Sequence, residues 1–189
     1  MKITSAKFVK GLTGTDDILF DGRPQIVFVG RSNVGKSSVI NSLTGQRGLV
    51  KVGRKPGKTT EINFFLINNT FYFVDLPGYG YAKLGPLEKA KIRRLMAWYF
   101  VESGIRLKLV VLIIDIRVGF TELDRQMLEL LKGASHRFVI IANKIDKLKK
   151  SEVSRQLAGV KAAAAGAEVL ACSATTQAGI REVLDAILA

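Results

Sequence analysis

One cysteine, Cys172, cannot close an internal disulfide, so nothing in the covalent chemistry asks for an oxidising compartment. The single histidine, His136, stands just before a strand and carries no acid–base expectation. No structural zinc site and no nucleophilic triad is expected, and His136 reads as a loop residue beside Arg137. Apolar runs are short: residues 109–114 suit a strand and fall far below the roughly 20 residues of a membrane span. Residues 1–7 lack the apolar core of a signal segment, so the expectation is a cytoplasmic protein without membrane attachment. Acidic residues are also scarce, with 16 Asp and Glu against 29 Lys and Arg, a net charge of +13. A globular chain this basic suits a polyanionic partner.

Against these absences stands a run of ordered motifs. Gly30-Arg31-Ser32-Asn33-Val34-Gly35-Lys36-Ser37-Ser38 satisfies the phosphate-binding pattern G-x-x-x-x-G-K-[ST] at every fixed position. Such a loop turns backbone N–H groups inward around a phosphate, which needs glycine where a Cβ would collide or φ must be positive. Gly30 and Gly35 meet that need; Lys36 can then reach the β- and γ-phosphates, and the Ser37 hydroxyl a Mg²⁺ ion. Residues 25–29 read as a buried strand entering the loop and residues 38–43 as the helix leaving it. That order of elements weighs against a mere glycine turn before Lys-Ser.

Asp75-Leu76-Pro77-Gly78 follows a second hydrophobic strand. The short pattern D-x-x-G is common in ordinary turns, but after a phosphate loop it marks Asp75 as a Mg²⁺ holder through a water and the Gly78 N–H as a γ-phosphate sensor. Thr59 or Thr60, in a long basic loop, can add a hydroxyl to the metal. Base choice rests on Asn143-Lys144-Ile145-Asp146. The Asp146 carboxylate can accept from guanine N1–H and from the exocyclic amine, a pair of donors that adenine lacks. The plain alternative for Asp146 is a helix N-cap. Lys144 can lay its stem on the base, and Asn143 can tie this loop to the phosphate loop. Ser173-Ala174-Thr175 then offers a backbone N–H to guanine O6.

Strand-like segments at 62–67 and 71–74, joined by Asn68-Asn69-Thr70, read as a hairpin. Beyond a helix at about 86–101, strands at 107–114, 138–142 and 168–172 alternate with helices at 121–131, 149–165 and 178–188. The expected fold is one three-layer α/β domain at 23–189, with a mostly parallel six-stranded sheet, one antiparallel edge strand and helices on both faces. Residues 1–22 form a leader packed on it that could hold an extra strand or helix. Trp98, Tyr99 and Phe100 read as packing, and Asp115 near Arg117 as a structural ion pair.

These five stretches in order resemble the translation-factor-like P-loop GTPases. Gly30 to Ser38, Pro56-Gly57-Lys58-Thr59, Ile62-Asn63-Phe64-Phe65 and Asp75 through Gly80-Tyr81-Ala82 more narrowly resemble the EngB (YihA/YsxC) family of bacterial ribosome-biogenesis GTPases, over nearly the whole chain. The resemblance implies binding and hydrolysis of GTP with Mg²⁺ and action on the large ribosomal subunit precursor and its rRNA; a monomer is expected. It also implies the family's association with cell division and septation. It makes Thr59 the switch threonine and places Gly57, Lys58, Thr60 and Glu61 around the nucleotide. The base motif departs slightly, because many relatives carry Thr where Asn143 stands. By the same likeness Asn33 is a candidate K⁺ ligand, and Lys36, Thr59, Gly78 and Asn33 carry the catalytic expectation. Tyr79 stands where Ras-like enzymes place the glutamine that orients water, so slow intrinsic turnover is expected. A nucleotide-regulated RNA-binding module with negligible turnover is the alternative, and a P-loop ATPase or small-molecule kinase a further one.

Overall fold

Seven strands form one sheet: Ala6–Leu12 (β1), Gln25–Gly30 (β2), Ile62–Ile67 (β3), Phe71–Asp75 (β4), Leu107–Asp115 (β5), Phe138–Asn143 (β6) and Val169–Cys172 (β7). They appear in a computed structural model that describes residues 2–51 and 61–189. Their order is β1-β3-β4-β2-β5-β6-β7. The strands from β4 through β2, β5 and β6 to β7 pair in parallel, whereas β3 runs antiparallel to both β4 and β1. Helices Lys36–Thr44 (α1), Pro86–Ala97 (α2), Glu122–Gly133 (α3), Lys150–Ala163 (α4) and Ile180–Leu188 (α5) cover the two faces.

Every residue of β2 is buried, as expected for a central parallel strand covered on both sides. Period-2 alternation splits it between two cores. Ile26 and Phe28 join Val39, Ile40 and Leu43 of α1 and Val183 and Ile187 of α5. Val27 and Val29 face the opposite layer with Ile92 and Met96 of α2, Leu128 and Leu131 of α3 and Val160 of α4. The three-layer α/β architecture is therefore as expected.

The strand count is corrected from six to seven, because the leader supplies β1. Asn68 and Asn69 adopt φ of 48° and 57° in the hairpin turn, conformations that asparagine tolerates. The Asn68 carboxamide then accepts from Thr4 N at 2.8 Å and Ser5 N at 3.1 Å, which fastens the leader to the hairpin. From there β1 zips along β3, with the rings of Phe8 and Phe65 5.6 Å apart. Most of β1 is solvent-exposed and carries Lys7 and Lys10, as suits a protected sheet edge.

Past α2 the chain makes one wider turn at Trp98–Glu102, seating Tyr99 and Phe100 in the core as packing residues. The Tyr99 hydroxyl donates to Gln25 Oε1 at 2.8 Å, and Gln25 Nε2 donates to Leu19 O at 2.9 Å, so this buried polar pair is satisfied. His136 approaches Phe100 O at 2.6 Å. Cys172 is fully buried, and burial pushes its thiol up to about 12, which makes it inert. No helix among the described residues is long and apolar enough to cross a membrane. Because β2 lies between β4 and β5, the carboxyl ends of the parallel strands open a crevice where chain direction switches.

Candidate functional site

Each glycine of the phosphate loop is fixed by a collision it avoids. A Cβ on Gly30 would lie 2.5 Å from Ile113 O of β5, and one on Gly35 would lie 2.4 Å from Asn143 Nδ2 of β6. Gly35 also takes φ +97° as the residue before α1, with no side chain capping that helix, so its first N–H donors remain for an anion. Asn33 takes φ +69° within the loop. Gly30, Arg31, Ser32, Asn33, Val34, Gly35, Lys36, Ser37 and Ser38 thus wrap from the end of β2 into the first turn of α1.

Asp75 is the last residue of β4 and is 5% exposed, and its carboxylate pairs with the Lys36 ammonium. The Ser37 hydroxyl and the Asp75 carboxylate are hard oxygen donors of the kind that suits Mg²⁺. Gly57, Lys58, Thr59 and Thr60 lie outside the described residues. Glu61 is described, and its carboxylate rests against β1, where a Cβ on Gly11 would come within 2.7 Å of Oε2. Leu76, Pro77 and Gly78 continue along the phosphate loop. A Cβ on Gly78 would sit 3.0–3.1 Å from Ser32. Ser32 N donates to Tyr79 O at 2.8 Å, and Arg31 and Tyr79 form a parallel backbone bridge. The spacing of the motifs carries no sign of this direct pairing.

Asn143 joins three motifs through one amide. Its Nδ2 donates to Val34 O at 2.9 Å and its Oδ1 accepts from Ala174 N at 3.2 Å. The tie expected of Asn143 is therefore present, and it engages the Ala174 N–H expected for guanine O6. Lys144, at φ +75°, donates its ammonium to Asn33 O and, at 2.9 Å, to Asp115 Oδ2. Ile145 and Asp146 lie in a short 3₁₀ turn, whereas α4 is capped by Lys149. Asp146 is thus not the N-cap of the following helix. Its carboxylate instead accepts from Ser173 Oγ at 2.6 Å and meets Lys147 Nζ at 3.2 Å. The Ser173 hydroxyl, outweighing burial, holds the Asp146 carboxyl below the usual range and keeps it ionised.

Asp115 has a larger part than an ion pair with Arg117. It accepts from Arg117 Nη2 at 2.6 Å, as expected, and also holds the Lys144 ammonium of the base motif. Burial alone would raise its carboxyl, but the hydrogen bonds from Arg117 and Lys144 prevail and bring it down to about 2. Only the i,i+2 spacing to Arg117 is visible in sequence; Lys144 lies 29 residues away.

A family profile described as "50S ribosome-binding GTPase" matches residues 25–144, and one described as "Elongation factor Tu GTP binding domain" matches residues 101–189. A "Probable GTP-binding protein EngB" of Chlorobaculum parvum is 44% identical over 98% of this chain and 96% of its own length. Another of that name from Thermosipho africanus is 42% identical over 99% and 97%. The chain belongs to the EngB family of GTP-binding proteins. A crystal structure of a probable GTP-binding protein engB superposes with a TM-score of 0.74 at 24% identity, covering 87% of this chain and 96% of that one. Era in complex with MgGDPNP and nucleotides 1506–1542 of 16S ribosomal RNA gives 0.68 at 22% identity, covering 87% and 55%. Membership of the EngB family supports GTP hydrolysis in general and accounts for the P-loop GTPase fold.

Asp115 offers a pH test of the base-motif scaffold. Its folded pKa lies below the ordinary value of 3.8, so the stability it adds is fully present above about pH 4 and is lost as pH falls toward 2. Asp115→Asn should lower the melting temperature by several degrees at pH 6, on the order of 2–4 °C per kcal/mol for a chain this size. The gap between variant and wild type should close between pH 4 and 2 in calorimetric melts, and a gap constant with pH would exclude the ion pair as its source.

Proposed function

We propose that this EngB-family protein binds GTP and GDP with Mg²⁺ in the crevice at the carboxyl ends of β2, β4 and β6, and hydrolyses GTP slowly. In this reading it acts as a cytoplasmic, monomeric nucleotide switch on the large ribosomal subunit precursor, with the family's link to division and septation. The observation that supports it best is the cross-linking by Asn143 of the phosphate loop, the base motif and Ser173-Ala174-Thr175, which brings three separate stretches to one site.

Lys36 and Asp75 neutralise one another. A magnesium triphosphate offers each a partner of opposite sign, with Lys36 turning to phosphate oxygens and Ser37, Thr59 and Asp75, the last through a water, holding the metal. Mg²⁺, when bound, supplies charge neutralisation on those oxygens. In this reading the backbone N–H of Gly78, which packs against Ser32, registers the γ-phosphate. Tyr79 is buried and its hydroxyl donates to Asp124 at 2.9 Å, so it is turned away from orienting an attacking water. That burial favours slow turnover and keeps the non-hydrolysing RNA-binding module as the second reading. K⁺ at Asn33 would stand in for part of the missing catalytic charge.

The partner side rests on charge. Thr13, Gly14 and Thr15 of the leader, Lys91, Arg94 and Leu95 of α2, and Trp98 at the start of the wider turn line a groove of about 530 Å³. Two cations and an aromatic ring beside it suit a strand of RNA, whose phosphates pair with lysine and arginine and whose bases stack. The helix α2 follows directly from the Asp75 to Gly78 stretch, so its position can depend on the nucleotide.

Three measurements test this. Asp146→Asn exchanges an acceptor pair for a donor and acceptor, so GTP affinity should fall about ten-fold to a hundred-fold while XTP affinity rises. Unchanged GTP binding would remove Asp146 from the base pocket. Charge reversal at Arg93 and Arg94 should weaken co-sedimentation with large ribosomal subunits and flatten its salt dependence, since counterions are released on phosphate contact. Intact binding would move the RNA contact elsewhere. Single-turnover hydrolysis should run faster in potassium than in sodium at equal ionic strength for wild type, and equally in both for Asn33→Ala. A full cationic finger is worth roughly 10³–10⁵ in rate, so a partial one is readily measured. Equal wild-type rates would exclude a potassium role.

A further inference from the structure

Asp124 lies in the first turn of α3, 93 residues from Arg31 and 45 from Tyr79, and is completely buried. It accepts four hydrogen bonds. Two come from Thr121, whose N and Oγ1 approach Oδ2 at 3.0 and 2.7 Å and form the cap of α3. The other two come from the phosphate-binding stretches: Arg31 Nε reaches Oδ2 at 2.9 Å, and the Tyr79 hydroxyl reaches Oδ1 at 2.9 Å.

A capping carboxylate normally works at the surface, where water satisfies its spare lone pairs. One that is completely buried must instead be satisfied by the protein, or its desolvation goes unanswered. Here the extra donors are a cation from the phosphate loop and a phenol from the residue after Gly78. The backbone repeats that connection: Ser32 N donates to Tyr79 O, Arg31 and Tyr79 form a bridge, and Gly78 packs directly on Ser32. Immediately afterwards Gly80, at φ +73°, turns the chain so close to Leu123 that a Cβ would meet its Cδ1 at 2.6 Å. Side chains and backbone therefore dock one short stretch, residues 78–80, against both the phosphate loop and the start of α3.

We propose that Asp124 is a positioning residue for nucleotide sensing. By holding Arg31 and Tyr79 on one carboxylate it sets the Gly78 N–H relative to the phosphate loop, and it makes α3 a third element whose placement depends on whether the γ-phosphate is engaged. This rests on the proposed reading of the crevice as a guanine-nucleotide site. It also assigns Tyr79 a role: the phenol is an anchor for the turn, and burial with the Asp124 charge beside it keeps it protonated as a donor. Rearrangement between nucleotide states then begins beyond Gly80, in the segment leading to α2.

The test is Asp124→Asn, which keeps the shape but leaves one acceptor oxygen for four donors. Three readouts are taken: amide exchange at Ser32 in nucleotide-free protein, the ratio of affinities for a non-hydrolysable GTP analogue and GDP, and the single-turnover hydrolysis rate. Exchange at Ser32 should quicken by about ten-fold or more. The affinity ratio should shift toward GDP by about five-fold to a hundred-fold, the range of ordinary coupling between sites, with GDP affinity itself nearly unchanged and hydrolysis slowed to a similar extent. Thr121→Val, which removes only the cap hydroxyl, should lower the melting temperature without moving the ratio. If Asp124→Asn behaves like Thr121→Val in all three readouts, Asp124 is a helix cap and the proposal is overturned. Should Asp124→Asn not fold, Tyr79→Phe removes one arm of the network, and an unchanged ratio and Ser32 exchange in that variant overturn the proposal equally. Absence of guanine-nucleotide binding by wild type would refute the reading of the crevice; Ser32 exchange would still decide whether Asp124 fixes the turn.

Discussion

The carboxamide of Asn143 uses both of its ends, and the geometry of the crevice depends on that. Its nitrogen reaches the carbonyl of Val34 while its oxygen takes the N–H of Ala174, so one planar group spaces the phosphate loop, β6 and the loop after β7. The demand propagates outward. Because Nδ2 stands where a Cβ of residue 35 would fall, position 35 must be glycine, and its positive φ directs the chain into α1. No other side chain of this length offers a donor and an acceptor in one plane: aspartate lacks the donor and leucine lacks both.

Charge in this molecule is sorted by depth. Lys36 with Asp75, Arg31 with Asp124 and Lys144 with Asp115 each match a cation drawn inward with a buried acid. The surplus of +13 therefore belongs to the outer surface, where α2 carries exposed Lys91, Arg93 and Arg94. Sorting of this kind lets the exterior attract polyanions over a distance while the interior presents matched pairs.

What could be read from sequence was what the backbone enforces locally. Gly30 and Gly35 are dictated by collisions, Asn68 and Asn69 by a left-handed turn, and the strands by unbroken apolar runs buried on both sides. The motif stretches were legible for the same reason, and the Asn143 tie followed from the two-ended chemistry of an amide. The leader stays open between strand and helix because an exposed edge strand with lysines has neither alternation nor an apolar run. Asp115 was legible only through its neighbour Arg117, since its link to Lys144 is made by the pairing of β5 with β6. Asp124 stands in the sequence only as one residue of the helix expected at 121–131, and its burial is decided by side chains from positions 31 and 79 that periodicity cannot place. The switch threonine Thr59 and its neighbours lie outside the described residues.

The pairing of β1 with β3 has a consequence for how the chain is made. Ala6 finds its partner at Ile67 and Leu12 at Ile62, and the turn that fastens the leader is Asn68, so β1 leaves a ribosome at least fifty residues ahead of the strand it pairs with. Closing so long a loop comes late and slowly. During that wait an apolar strand would be open to mispairing with other nascent chains. The lysines and exposed pattern of β1 let it stay hydrated until the hairpin arrives, so the feature that made the strand hard to recognise is also the one that keeps it harmless during synthesis.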